Sequence, residues 1–280
     1  MKDWLNKIWS RVKGRDSWNE KFEAACRAFQ SGQFKEAEEF FTLALAEVEQ
    51  AESKKRDPRL FSTLVCMGAC LRGQERFADA EKILQRAVEL SERHQDGGIE
   101  DTAFAYRELA SCLYESGKCD EVEDPVKKAI ALYEKIGLKR LDETAECLLI
   151  FARTLIMRCR FDEAEPLLER SLVIFEKSEQ DRTFEIADAL TCQAIIWNRR
   201  AEFVQAEANL RRVLPLHGKL SGDDSIEVGR CKTELAASLL SQGRTAEAEE
   251  SFKESMKLMN KLGSYESIDY ADALAGLAAC

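Results

Sequence analysis

The chain is poor in several things, and each shortage excludes something. Four prolines and 14 glycines among 280 residues are too few to punctuate many short strands, which leaves an all-α protein. There are two histidines, His94 and His217. The ten cysteines (26, 66, 70, 112, 119, 147, 159, 192, 231 and 280) never form a C-x-x-C pair, so zinc ligation is not expected, and neither is any other metal or cofactor. They read instead as small, reduced core residues. No apolar run approaches the roughly 18 residues of a membrane span. The opening MKDWLNKIWSRVKGRDSW has neither an unbroken apolar stretch nor a small-residue cleavage site, so a secretory signal is not expected and the cytoplasm is. A basic excess is also missing. With a formal charge of −10 the chain does not suit nucleic acid, whose binding needs a cationic face. GQFKEA and GQERFA lack a P-loop lysine, and no G-x-S-x-G turn occurs, so no enzymatic activity is expected.

What the chain does have is charge (33%), apolar residues (45%) and few aromatics (8%), the mix of long amphipathic helices. It also repeats itself. GQFKEAEEF, ERFADAEKI, KCDEVEDPV, RFDEAEPLL, EFVQAEANL and RTAEAEESF align on Phe34, Phe77, Cys119, Phe161, Phe203 and Thr245, a step of 43 and then of 42 residues. Three residues on stand Ala37, Ala80, Val122, Ala164, Ala206 and Ala248; nine residues upstream stand Ala25, Gly68, Ala110, Ala152, Ala194, Ala236 and, for a seventh copy, Ala278. Large apolar residues flank the upstream series, as in Leu109, Phe151 and Leu235 before it and Leu71, Leu113, Leu155, Trp197 and Leu239 after it.

Each copy therefore reads as two antiparallel helices that approach at paired small residues. The second helix opens near the Phe position, and polar loops such as KSEQDRT and HGKLSGDD close the unit. Asp162 and Glu165 have the spacing of a capping box, and the other helix-start carboxylates read as solvated charges. One pair cannot bury its apolar stripe alone, so neighbouring pairs must stack. Pro215 is expected to kink or end the fifth second helix.

These residues resemble the tetratricopeptide repeat in its 42-residue kinesin-light-chain form, over about residues 18 to 280. FDEAEPLLERSL and LSGDDSIEV carry the likeness most clearly. The resemblance implies a right-handed α-solenoid of antiparallel helix pairs, with six repeats (about 18–58, 59–102, 103–143, 144–185, 186–227 and 228–268) and a partial seventh (269–280). It also implies a non-enzymatic interaction scaffold whose first helices line a concave groove for a peptide segment of a partner protein. A peptide-sensing receptor and a membrane-tethered platform are the alternatives. The lysine–asparagine set with which chaperone-binding relatives clamp a terminal carboxylate is absent, as are the paired asparagines of many kinesin-light-chain copies.

Carried onto this chain, the groove positions are Phe104, Arg107, Ser111, Tyr114, Leu149, Arg153, Thr191, Asn198 and Arg199. Arg107, Arg153 and Arg199 shift by about one helical turn from copy to copy. They read either as a diagonal stripe for acidic groups of the partner or as local pairs with Glu108, Glu115 or Glu146. At the N-terminus, residues 1–17 place Trp4, Leu5, Ile8, Trp9 and Val12 opposite Lys2, Lys7, Arg11 and Lys13. This segment reads as a capping helix, with a weak interfacial membrane contact as the alternative. The apolar end YADALAGLAAC suggests truncation or a self-associating edge.

Overall fold

In the computed structural model the described residues are 17–51, 58–93, 98–263 and 268–280; the amphipathic segment read over residues 1–17 lies outside them except for Ser17. These residues form α1 (Ser17–Gln30), α2 (Phe34–Ala51), α3 (Pro58–Gly73), α4 (Phe77–Arg93), α5 (Ile99–Glu115), α6 (Glu123–Ile136), α7 (Leu141–Met157), α8 (Phe161–Glu176), α9 (Thr183–Arg199), α10 (Phe203–Ser221), α11 (Ile226–Ser241), α12 (Thr245–Lys261) and α13 (Ile268–Ala279). Among the described residues there is no strand, and the fold is an all-α solenoid of helix pairs. Odd-numbered helices are the first of each pair and even-numbered helices the second. The chain divides into two compact units, up to Ile150 and from Phe151, so the division falls inside α7.

Within the first unit, Lys21 near the start of α1 pairs with Glu47 near the end of α2 at 2.6 Å, as antiparallel neighbours do. Trp18 of α1 donates to Thr63 of α3 at 3.2 Å, which sets successive odd helices side by side. In the second unit, Thr233 of α11 and Ser255 of α12 share a buried hydrogen bond of 2.8 Å. Both small-residue series sit at the helix crossings: Ala25, Ala110, Ala152, Ala194 and Ala236, and Ala37, Ala80, Ala164, Ala206 and Ala248, are all fully buried. At Gly68 the fit is tighter still, since a Cβ there would lie 2.6 Å from the Leu84 side chain. Larger apolar residues close around these contacts, in the second unit Leu210, Val213, Leu235, Leu239 and Phe252.

Each pair turns the same way. Gly32, Glu75, Gly117, Cys159, Ala201 and Gly243, all two residues before the Phe position, have φ between 57° and 77°. The next residue's N–H bonds back to the fifth preceding carbonyl, as in Arg160 to Leu155 (2.8 Å), Glu202 to Trp197 (2.9 Å) and Arg244 to Leu239 (3.0 Å). This left-handed helix end suits glycine and strains residues with a Cβ.

The expected capping box is not formed. No side chain caps the start of α8, and Asp162 and Glu165 instead each accept from Arg200 at 2.7 Å. The same reach from one turn back to the preceding even helix recurs in Arg76–Glu38 (2.6 Å), Lys118–Glu81 (2.7 Å) and Arg244–Glu207 (2.7 Å). The glutamate following the even-helix alanine is thus an inter-repeat acceptor. Burial alone would raise the Glu207 carboxyl, but bonds from Arg211, Gln242 and Arg244 hold it at about 2.

Two other expectations change. Pro215 lies inside α10 without ending it, because Val213 and His217 on either side are buried and packing overrides the lost hydrogen bond. In the third copy the even helix begins at Glu123 rather than near Cys119. That puts Pro125 in the first turn, where a missing N–H has no intrahelical partner to lose. The cysteines are free, six of them buried; burial pushes the Cys70, Cys112 and Cys231 thiols up to about 11 and Cys192 to about 12.

The recurring left-handed turn gives a direct test. Ala201→Gly is expected to raise the free energy of unfolding by about 1 kcal/mol, and Gly243→Ala to lower it by about 1 kcal/mol, in urea denaturation. Equal stability of both variants and the parent would show that the turn is not strained.

Candidate binding face on the first helix of each repeat

Burying a carboxylate or a guanidinium costs several kcal/mol unless partners surround it. Every buried Asp, Glu or Arg among the described residues (Arg107, Glu108, Asp188 and Glu234) lies on an odd-numbered helix. The even-numbered helices bury hydroxyls, Asn209 and His217, and no such charge.

In the first unit the charges form a chain. Arg72 of α3 reaches Glu115 at 2.5 Å and Glu108 at 3.3 Å, both on α5. Arg107 donates to Glu108 at 3.0 Å and to Glu146 of α7 at 2.6 Å, with its guanidinium 4.5 Å from the Phe104 ring centre. Burial alone would raise the Glu108 carboxyl, but Arg72 and Arg107 outweigh it and hold it below the ordinary glutamate range.

The second unit centres on Asp188 of α9. Arg153 approaches one of its oxygens at 3.0 Å and Arg230 of α11 the other at 2.7 Å. Although Asp188 is almost completely buried, these two cations keep its carboxyl below the ordinary range. Beneath them the Thr191 hydroxyl donates to the Ala187 carbonyl (2.8 Å) and meets His217 Nε2 (3.2 Å) and Cys231 Sγ (3.4 Å). Burial depresses the His217 imidazole, with Asp188 opposing and Arg230 adding to that shift. Two turns along, the Asn198 carboxamide donates to the Glu234 carbonyl (3.0 Å) and carboxylate (2.8 Å) and accepts from Ser238 (2.5 Å). Arg199 and Asp272 are 4.0 Å apart and both half exposed.

The sequence-predicted positions thus fall at different depths. Phe104, Arg107, Leu149 and Thr191 are buried; Ser111, Tyr114, Arg153 and Asn198 are half-buried; Arg199 is exposed. Phe104 and Arg107 come together by the guanidinium–ring contact, and Arg153 joins Asp188. Sequence reasoning gave no part to Arg72, Arg230, Glu234 or His217. A signal existed for one of them: the position six residues before the small residue reads Glu146, Asp188, Arg230 and Asp272 in successive copies, a charged column kept at 42-residue spacing.

Among the described residues, no group of His, Cys, Asp and Glu side chains is arranged to hold a metal ion, and no helix is long and apolar enough to cross a membrane. The family described as the MalT-like TPR region matches residues 21–251. None of the curated proteins matches the chain in sequence. Solved structures share its fold. A protein described as a kinesin light chain from Podosopora anserina, with TPR-like repeats, is 16% identical over 74% of this chain and 99% of that one, with a TM-score of 0.56. A Rap protein complexed with Competence and Sporulation Factor is 15% identical over 99% and 79%, at 0.61. The apo quorum sensor NprR from B. thuringiensis is 15% identical over 97% and 73%, at 0.66.

If Asp188 is the anchor of its cluster, removing its charge leaves two partly buried guanidiniums facing each other. Asp188→Asn is expected to cost about 3 kcal/mol of stability at pH 7. Asp272→Asn, at an exposed 4.0 Å pair, should leave the denaturation midpoint unchanged. A silent Asp188→Asn would show that the carboxylate does not anchor the two guanidiniums.

Proposed function

Since the chain belongs to the MalT-like TPR family, we propose that it is a non-enzymatic interaction module that binds a peptide segment of a partner along its odd-numbered helices. The observation that carries this reading is the confinement of buried Asp, Glu and Arg to those helices. A structure that needed only to stack its repeats would place apolar residues there more cheaply, because replacing buried ion pairs by well-packed apolar groups is often neutral or stabilising. Side chains held in fixed ion pairs are pre-organised, and pre-organised groups lose less freedom when a ligand arrives.

In this reading Ser111 and Tyr114 in the first unit, and Arg153, Asn198 and Arg199 in the second, meet the ligand. Phe104, Arg107, Leu149 and Thr191 hold those surfaces in place from below. The guanidiniums favour a segment with acidic groups, since arginine recognises carboxylates in a two-pronged geometry. The relatives are compatible with this: the Rap structure contains Competence and Sporulation Factor, and NprR is called a quorum sensor. The extended surfaces of helical-repeat proteins generally serve binding rather than catalysis.

Selection of a random dodecapeptide library on the full chain, followed by fluorescence anisotropy with the best peptide, tests the proposal. Arg153→Gln combined with Arg199→Ala should weaken that peptide at least tenfold with unchanged circular dichroism. Arg212→Ala, on an exposed part of α10, should not. Equal affinity for all three proteins would place the ligand elsewhere.

A further inference from the structure

Away from the odd-helix faces, the second unit carries exposed apolar side chains where its even helices end and its odd helices begin. Phe184 (42% exposed) lies in the first turn of α9 and Ile226 (50%) begins α11, while Leu220 (41%) lies at the end of α10 and Leu262 (39%) directly follows α12. Both pairs keep the repeat interval, for 184 to 226 and 220 to 262 are each 42 residues apart. At the position of Phe184 the two preceding copies have Glu100 and Asp142, so stacking of the repeats does not require an apolar residue there.

These residues lie where even helices end and odd helices begin, which antiparallel pairing puts at one end of the repeats. The Phe184 ring meets the His217 ring edge-on, with centres 6.2 Å apart. Asp223 lies over Gly218, where a Cβ would come 2.5 Å from its carboxylate, and Asp224 pairs with Lys261 at the end of α12. The edge is also acidic, and the acids recur with the apolar residues. Asp181, Phe184 and Glu185 are matched by Asp223, Ile226 and Glu227. Arg182 is taken by Glu185 and Lys261 by Asp224. Glu179, Asp181, Asp223 and Glu227 have no ion-pair partner among the described residues, against two such lysines nearby, Lys177 and Lys219.

We propose that this edge is a second docking surface, distinct from the odd-helix faces, and that its occupant is a basic amphipathic helix of a partner protein. Exposed apolar residues that recur at one end of successive repeats, beside acids that recur with them, mark an interaction site more often than solitary exposed residues do. The sign of the rim selects lysine and arginine on the partner. Packed neighbouring helices lie about 8–10 Å apart. Two turns of a partner helix, rising about 1.5 Å per residue, cover about the same distance, so apolar residues seven apart meet Phe184 and Ile226 in turn.

The probe is an 18-residue synthetic helix with leucines at heptad spacing and lysines elsewhere, compared by anisotropy with a leucine–glutamate peptide of the same pattern. The full chain should bind the lysine peptide and not the glutamate one. Phe184→Ser with Ile226→Ser leaves the charge unchanged and should weaken binding at least tenfold, which separates docking from general attraction to an acidic protein. Asp223→Asn with Glu227→Gln should weaken it at least threefold and reduce its salt dependence. Equal binding by the serine variant, or equal binding of both peptides, overturns the proposal. So does self-association of the parent chain in sedimentation velocity that the serine variant lacks, since that would assign the edge to a second copy.

Discussion

The contact on which this structure depends is the crossing of two helices at a side chain too small to hold them apart. With alanine or glycine at the crossing on both sides, backbones come close and the larger residues around them interlock. Ala152, Ala164, Ala194 and Ala206 are fully buried for this reason, and Gly68 has no room for a methyl group against Leu84. Repeating that contact at intervals of 42 or 43 residues brings the same turn and the same left-handed position with it, and in four copies an ion pair back to the preceding even helix. The stack is therefore assembled from local units, each incomplete without its neighbour.

That assembly divides labour between the two helices of a pair. The even helices close the core with apolar residues, and the glutamates near their start receive cations from the following turn, as in Arg76–Glu38 and Arg244–Glu207. The odd helices pack along one side and keep a second side on which buried charges are arranged in mutual contact. Asp188 between Arg153 and Arg230, and Glu108 between Arg72 and Arg107, are the two clearest instances. Such pairs add little to stability relative to an apolar replacement; under the proposed function they fix the direction of side chains that meet the ligand. The apolar and acidic residues around Phe184 and Ile226, where even helices end and odd helices begin, are a separate feature that recurs at the repeat interval.

Much of the fold was legible because close helix crossings leave a compositional trace. Ala110 and Ala152 mark their crossings whatever the neighbouring residues are. The turns were less legible: glycine occupies the left-handed position in three copies, but Glu75, Cys159 and Ala201 occupy it in the others, tolerating the strain. Ion pairs between residues 35 to 42 apart are not visible within a single copy, which is why Asp162 and Glu165 read as a cap when they serve Arg200. At the candidate face, helical register assigned the nine residues to odd helices but not their depth, and Phe104, Arg107, Leu149 and Thr191 are buried. Arg107 falls three residues before its small residue and Arg153 one after, so the first is buried among carboxylates and the second remains half-exposed.

If the small-residue crossings hold the array together, overfilling one of them must loosen it. Chemical denaturation of Ala194→Leu against Ala271→Leu tests this most directly, because the first side chain is fully buried at a crossing and the second is exposed on α13. The expected result is a loss of about 2 kcal/mol or more for Ala194→Leu, within the usual cost of overfilling a packed site, and no loss for Ala271→Leu. Full stability of Ala194→Leu would contradict it.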